Sequence, residues 1–236
     1  LTPFLAESKE SPGYVEEAVV KECEAKPKKK RKGPPSVGEC EAGILNREAP
    51  SVVVSLMFGA RLARHDLLRA VQALAKLLHQ WTAESDRKLY RLMCYIMQSL
   101  SAAQVGFIGD PADQLWLGTF GDGDFASDKK TMKSTAGGFV VLMGPNTFFP
   151  LVSLSRSHTS VSHSTTESEM VSMNLVVREK GIPTLDLWEL ILGKKVEMTV
   201  YEDNQATSKI IRSGKFPKLG HVHRCHGVQL SLLTQE

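Results

Sequence analysis

Three short acidic stretches carry the residues best suited to chemistry: Asp122-Gly123-Asp124-Phe125-Ala126, Ser164-Thr165-Thr166-Glu167-Ser168-Glu169 and Glu202-Asp203-Asn204-Gln205. Each places a carboxylate beside a different secondary-structure element. Carboxylates brought together from three elements can hold a hard divalent cation, which takes oxygen ligands and keeps some of its water. Two such ions about 4 Å apart clamp the attacking and leaving oxygens of a phosphodiester.

Within each stretch the sequence leaves a choice. Asp122 is the first candidate of its pair and Asp124 the rival; an Asp-Gly turn in a hairpin explains the same residues without chemistry. Ser164 and Glu167 have capping-box spacing, and so do Thr166 and Glu169, so capping does not separate the two glutamates. Glu169 precedes Met173 and Val176 by one and two helical turns, on a face expected to look inward. An inward carboxylate is costly unless paired or bound to a cation, which favours Glu169 and keeps Glu167 as the alternative. Asp203 follows a short strand, where ligands gather in α/β sheets, although a helix cap would use the same residue. Glu202 is expected to point the other way if the strand persists to it.

The elements that must position these groups follow from periodicity. Residues 115–120 are rich in strand formers, 137–143 read as a buried strand ended by Gly144 and Pro145, and 147–154 as a third strand that Pro150 interrupts or marks as an edge. Residues 165–180 read as a helix stopped by Gly181 and Pro183. A short helix over 185–192, a strand over 196–201 and a helix over 204–212 complete an α/β pattern. Ahead of it, Leu62, Leu67, Leu68, Val71, Leu74, Ala75 and Leu78 form an apolar stripe at helical spacing. Asp66 is placed to cap this helix, and Asp86 to open another carrying Leu89, Leu92, Met93 and Ile96.

The order, spacing and flanking residues of the acidic stretches resemble the ribonuclease H domain of copia-type retrotransposon polyproteins. Asp122-Gly123-Asp124-Phe125-Ala126 resembles the family's first aspartate motif, the second glutamate of its middle motif matches Glu169, and Asp203-Asn204-Gln205 is the most specific match. Residues 60–71, with Trp81 and residues 89–96, resemble more loosely the segment between polymerase palm and ribonuclease H. The resemblance implies a ribonuclease H-like mixed sheet with flanking helices, preceded by a small helical segment and a disordered basic tail: residues 1–45, 46–110 and 113–236. It implies metal-dependent cleavage of the RNA strand of RNA–DNA hybrids, with two magnesium ions, or manganese, on Asp122, Glu169 and Asp203. Where the family ends on a Lys-His-Ile-Asp-like segment, this chain has Gly220-His221-Val222-His223-Arg224-Cys225-His226, and His223 most nearly replaces the last aspartate. A histidine there moves protons but adds no negative charge. Lys133, Ser134, Asn204 and Gln205 are candidate contacts to the nucleic acid. The remainder of a retroelement polyprotein is the implied partner. The alternative is a catalytically inactive nucleic-acid-binding remnant; the polymerase's paired-aspartate turn is absent from the sequence, and no DNA synthesis is expected.

Composition narrows the rest. The chain has 236 residues and a net charge of +3, and its cations are clustered. Lys28, Lys29, Lys30, Arg31 and Lys32 follow Pro27 in a stretch poor in large apolar residues, which suits an extended peptide read by a nuclear import receptor; a solvated basic linker is the plainer explanation. No apolar run is long enough for a membrane span and no secretory signal is visible, so a nuclear or cytoplasmic, non-secreted protein is expected. A chain opening on Leu1 is expected to be a piece of a longer polypeptide. The cysteines, Cys23, Cys40, Cys94 and Cys225, form no C-x-x-C pair and read as free thiols. Zinc on His221, His223 and Cys225 lacks a defined fourth ligand. A serine hydrolase lacks its G-x-S-x-G elbow.

Overall fold

The computed structural model describes residues 41–128, 130–213, 225, 226 and 228. The run Lys28–Lys32 lies outside them. Among the described residues the chain forms two units: those up to Leu56 with Ala73–Ala102, and Met57–Gln72 with those from Ala103 onward. The sheet therefore shares its unit with part of the segment that sequence reading assigned to the helices.

The helical elements are α1 (Ala49–Leu62), α2 (Leu68–Ala75) and α3 (Ala83–Gln98), with single 3-10 turns at His65–Leu67 and Leu78–Gln80. Most of the predicted stripe is core: Leu67, Leu68, Val71, Leu74, Leu89 and Leu92 are buried, whereas Leu62 is exposed. Asp86 does not cap the helix it was expected to open. Asp66 is engaged by Arg64 through Nε at 3.0 Å and Nη2 at 2.8 Å, and α3 is capped by Thr82, whose hydroxyl accepts the Ser85 N–H at 3.4 Å. Asp86 instead accepts the Trp81 Nε1–H and the Ile44 N–H, each at 2.6 Å. Residues 41–45, expected to belong to the tail, are tied in the same way, with Ala42 bridging to Thr82 and Gly43 N–H donating to Trp81 O at 3.2 Å.

The sheet has four strands in the order β3-β2-β1-β4. β1 (Trp116–Asp124), β2 (Thr135–Gly144) and β3 (Thr147–Ser157) pair antiparallel, and β4 (Glu197–Tyr201) lies parallel to β1. The result is an α/β architecture with a mixed open sheet and flanking helices. β1 runs past its predicted end: Asp122, Gly123 and Asp124 pair with Gly137, Ala136 and Thr135. Aspartate and glycine are poor strand formers alone, but the hairpin ladder overrides that preference. Pro150 sits within β3, an edge strand, where its missing N–H costs least, next to the register shift between Val140 and Val141.

α4 (Thr165–Val176) does not stop at Gly181. A π turn over Val177–Gly181 carries it into α5 (Ile182–Leu192). Pro183 lies in the first turn of α5, where no N–H is needed, and the terminator is Gly193 at φ 66°. Leu117, Val140, Leu142 and Val176 are fully buried and form the core with Leu185, Trp188 and Met198 packed around them. α6 (Gln205–Ser213) follows β4. No helix among the described residues is long and apolar enough to cross a membrane.

Candidate functional site

Two neighbouring strands end in acids. The last pair of the β1–β4 ladder is Phe120 with Tyr201, whose rings stack at 4.6 Å and 9°. Beyond this pair β1 continues to Asp122 and β4 gives way to Glu202-Asp203, so parallel pairing alone delivers acids from both strands to one end of the sheet.

The second turn of α4 brings the third group, Glu169. A Cβ at residue 123 would sit 2.8 Å from the Ser168 carbonyl carbon and oxygen and 2.9 Å from the Glu169 nitrogen. Only glycine allows this approach, so the glycine between the two aspartates serves helix–strand packing. The contact is sealed by the Gly123 N–H, which donates to Glu169 Oε2 at 2.7 Å. Alternation along β1 turns Gly123 toward α4 and its aspartate neighbours toward the other face.

The rival carboxylates are separated by their partners. Asp124 accepts Arg69 Nη2 at 3.0 Å, while Arg69 Nη1 holds Thr135 Oγ1 at 3.1 Å. Glu167 is fully buried; its Oε2 accepts the His163 N–H at 2.8 Å and its Oε1 pairs with His226 Nε2 at 3.1 Å. Ser164 caps α4 by accepting the Glu167 N–H at 3.1 Å. Structural work thus falls to Glu167 and Asp124. The cap of α6 is Asn204, whose Oδ1 accepts the Ala206 and Thr207 N–H groups at 3.0 and 3.2 Å. Asp203 is not needed for it.

Electrostatics ties the remaining acids into one group. Burial raises the Glu169 carboxyl above its ordinary value, the Gly123 N–H opposes this, and the Asp122 and Asp203 charges add to it. Glu202, expected to face away, belongs to the same group. Burial pushes it up to about 7; the Asn204 N–H opposes, and the charges of Glu169, Asp203 and Asp122 reinforce the rise. Its Oε1 accepts that N–H at 3.1 Å, and its Oε2 is buried without a partner. The condition for the outward direction, a strand persisting to Glu202, is not met, because β4 ends at Tyr201. The available signal was Asn204, a helix-capping residue type that marks the start of α6 just after Glu202.

The donor set is all carboxylate, the kind that hard divalent cations select. Among the described residues, no three of these side chains are disposed to hold one ion as they stand. Like charges act on one another over longer distances than a metal–oxygen bond spans, and backbone N–H groups hold Glu169 and Glu202 by one oxygen each.

The other candidates fare unequally. Ser134 is buried and its hydroxyl accepts the Ala126 N–H at 3.1 Å, supporting a turn in which Ala126 has φ 50°, so it is not placed to touch nucleic acid. Asn204 has spent its side-chain oxygen on the α6 cap, Gln205 is exposed at the start of that helix, and Lys133 is half-buried in the β1–β2 loop. His221 and His223 lie outside the described residues. Cys225 and Cys94 are free thiols, and His226 is held by Glu167. Beside it, burial and the His226 charge push His158 down to about 4, against the pull of Glu167. This keeps the His158 ring neutral between Ser162 and Ser172, at 3.4 and 3.0 Å.

Comparison of the chain with protein-family models, with curated proteins and with solved structures finds no match.

Proposed function

We propose that this chain is the ribonuclease H-like part of a copia-type retroelement polyprotein and hydrolyses the RNA strand of RNA–DNA hybrids. One observation carries the reading: parallel β1 and β4 lead to Asp122 and Asp203 at the same end of a mixed sheet, and Glu169 of α4 is tied there by its Oε2, which accepts the Gly123 N–H at 2.7 Å. Strand order, the parallel fourth strand and the helix that delivers Glu169 agree with the arrangement that the sequence resemblance implies.

Asp122, Glu169 and Asp203 would hold magnesium, as two ions, or manganese. When bound, the metal supplies an activated water and stabilises the departing 3′ oxygen. The chain's own residues set the stage for this. Gly123 and Asn204 fix one oxygen of Glu169 and of Glu202 and leave the other oxygen of each for a ligand. Asp124 is paired with Arg69 and Glu167 is hydrogen-bonded to His226, so both have partners within the chain. Lys133 and Gln205 would meet phosphates, and shape together with the 2′-hydroxyl would select the RNA strand. The run Lys28–Lys32 is assigned to an import receptor, which puts the working protein in the nucleus or the cytoplasm.

A second reading, a non-catalytic binder of nucleic acid, is favoured by the lack of any three side chains disposed to ligate one ion among the described residues. One assay separates the two. Purified protein with labelled hybrid and magnesium is expected to cut the RNA strand, and Asp203→Asn to lower the rate more than about 100-fold. Cutting that survives Asp203→Asn refutes the role given to Asp203. Tight hybrid binding without turnover establishes the second reading.

A further inference from the structure

We propose that Arg69 is a positioning residue for the acid-bearing end of β1: its guanidinium staples the last rung of the β1–β2 ladder and so fixes where Asp122 is presented. This rests on the reading of Asp122 as a site residue. Arg69 Nη2 donates to Asp124 Oδ2 at 3.0 Å and Nη1 to Thr135 Oγ1 at 3.1 Å. Asp124 and Thr135 are the final ladder pair of the hairpin, so one side chain spans both strands. A guanidinium, with its donors fixed in one planar fork, suits two acceptors at once.

The bond from Gly123 N–H to Glu169 aside, that end of the ladder has little else to hold it. β4 pairs with β1 only as far as Phe120, so among the described residues Asp122, Gly123 and Asp124 have β2 as their single strand neighbour. The three rungs before the last set Gly121 against Gly138, Asp122 against Gly137 and Gly123 against Ala136. Cross-strand side-chain pairs stabilise a ladder, and these rungs offer almost none. Larger residues would not fit: a Cβ at residue 121 would stand 3.0 Å from the Met173 side chain, and one at residue 138 would strike Val176. Seating α4 therefore strips the ladder of side chains where Asp122 sits. The Asp124–Thr135 rung is the first beyond them with a polar side chain on each strand. Side chains alternate along β1, so Asp122 and Asp124 share a face, and a bond that holds Asp124 in the ladder holds Asp122 with it. Arg69 is anchored in turn by its own segment. The Ser155 hydroxyl of β3 donates to Gln72 Oε1 at 2.5 Å, and the His65 ring meets Phe139 of β2 edge-on, with centroids 6.0 Å apart. Thr135 Oγ1 also lies 2.9 Å from Ser127 Oγ, which ties the loop leaving β1 to the same staple. An ion pair whose side chains are 35% and 56% exposed adds little to global stability, so its effect is local.

Hydrogen exchange of single amides, followed by NMR in the full chain, reads the staple directly. Arg69→Gln is expected to speed exchange at Gly123, Asp124 and Ala136 about 10-fold. It should leave Thr119 and Val140, in the middle of the ladder, unchanged and lower the melting temperature by less than about 3 °C. Arg69→Lys keeps the charge but not the fork and is expected to behave as Arg69→Gln does. Arg64→Gln, which removes the pair with Asp66 in the same segment, is expected to alter none of these amides. In hybrid cleavage Arg69→Gln is expected to lower kcat about 10-fold, because a reacting group held less precisely costs rate, and to leave KM unchanged, because the staple binds no substrate. Wild-type exchange at Gly123 and Asp124 in Arg69→Gln overturns the inference. So does wild-type behaviour of Arg69→Lys, which would show that charge alone suffices. A raised KM at constant kcat would make Arg69 a substrate contact instead, and faster exchange throughout the sheet would make its role general stability; either overturns the staple. Local loosening in Arg69→Gln together with a wild-type chain that cuts no hybrid removes the nuclease reading and leaves the staple standing.

Discussion

Gly123→Ala isolates the contact on which the site is built. The added Cβ would stand 2.8 Å from the Ser168 carbonyl and 2.9 Å from the Glu169 nitrogen, and those atoms are helix backbone, which cannot rotate aside. Restoring ordinary contact near 3.4 Å requires α4 at Ser168 and Glu169 to retreat by about 0.6 Å, the difference between 3.4 and 2.8 Å. Overpacking of this kind costs about 2–3 kcal/mol. For a chain of this size that lowers the melting temperature by about 4–12 °C. The same retreat lengthens the 2.7 Å bond from Gly123 N–H to Glu169 Oε2 and carries Glu169 away from Asp122. Hybrid cleavage is therefore expected to fall even at temperatures where the variant is folded. Gly137 is the control. It is the ladder partner of Asp122, and a Cβ there meets only Asp122 O, at 3.9 Å. Gly137→Ala is expected to melt at or above the wild-type temperature. Differential scanning calorimetry decides: equal melting of Gly123→Ala and Gly137→Ala refutes the claim that α4 is seated on β1 through that glycine.

Glu202→Gln should change how stability responds to pH in the absence of metal. With the folded carboxyl at about 7 and its ordinary value at 4.5, the unfolded chain ionises first, so wild-type stability is lost between pH 4.5 and 7 and levels off above. The full difference corresponds to about 3 kcal/mol, which solvent screening of a partly exposed group reduces to about 1–2 kcal/mol. Urea titrations should show Glu202→Gln gaining on wild type by that amount as pH rises from 4.5 to 8, and parallel curves would contradict the buried placement. Asn204→Ala removes the α6 cap and the N–H partner's anchoring side chain; it should cost about 1 kcal/mol by urea unfolding, whereas Gln205→Ala, at an exposed position, should cost nothing measurable. Glu167→Ala leaves His226 buried without its partner and should destabilise by about 3 kcal/mol, while cleavage per folded molecule persists. Loss of metal-dependent cutting in a folded Glu167→Gln protein would reassign the catalytic glutamate.

Much of this arrangement can be read from residue types in order. Three apolar runs at hairpin spacing, a helix, a fourth run and a helix predict the element order, because alternation and helical periodicity are local properties. The pairing of acids with elements is local too, which is why Asp122, Glu169 and Asp203 can be singled out before any coordinates. Choices between neighbours were another matter. Asp124 was removed by Arg69, 55 residues earlier in the chain, and Glu167 by His226, 59 residues later. No window of sequence contains both members of either pair. The end of β1 moved for the same reason: the ladder with β2 carried it on through Asp124, whereas β4 ends at Tyr201 as its sequence predicts. With β4 over at Tyr201, alternation does not decide where Glu202 points; its surroundings in the fold do. Sequence determined which elements bear carboxylates; the tertiary structure decided which of those carboxylates find a counter-charge in the protein and which are left to find one outside it, because ion pairing depends on distance in space and the chain sets only distance along itself.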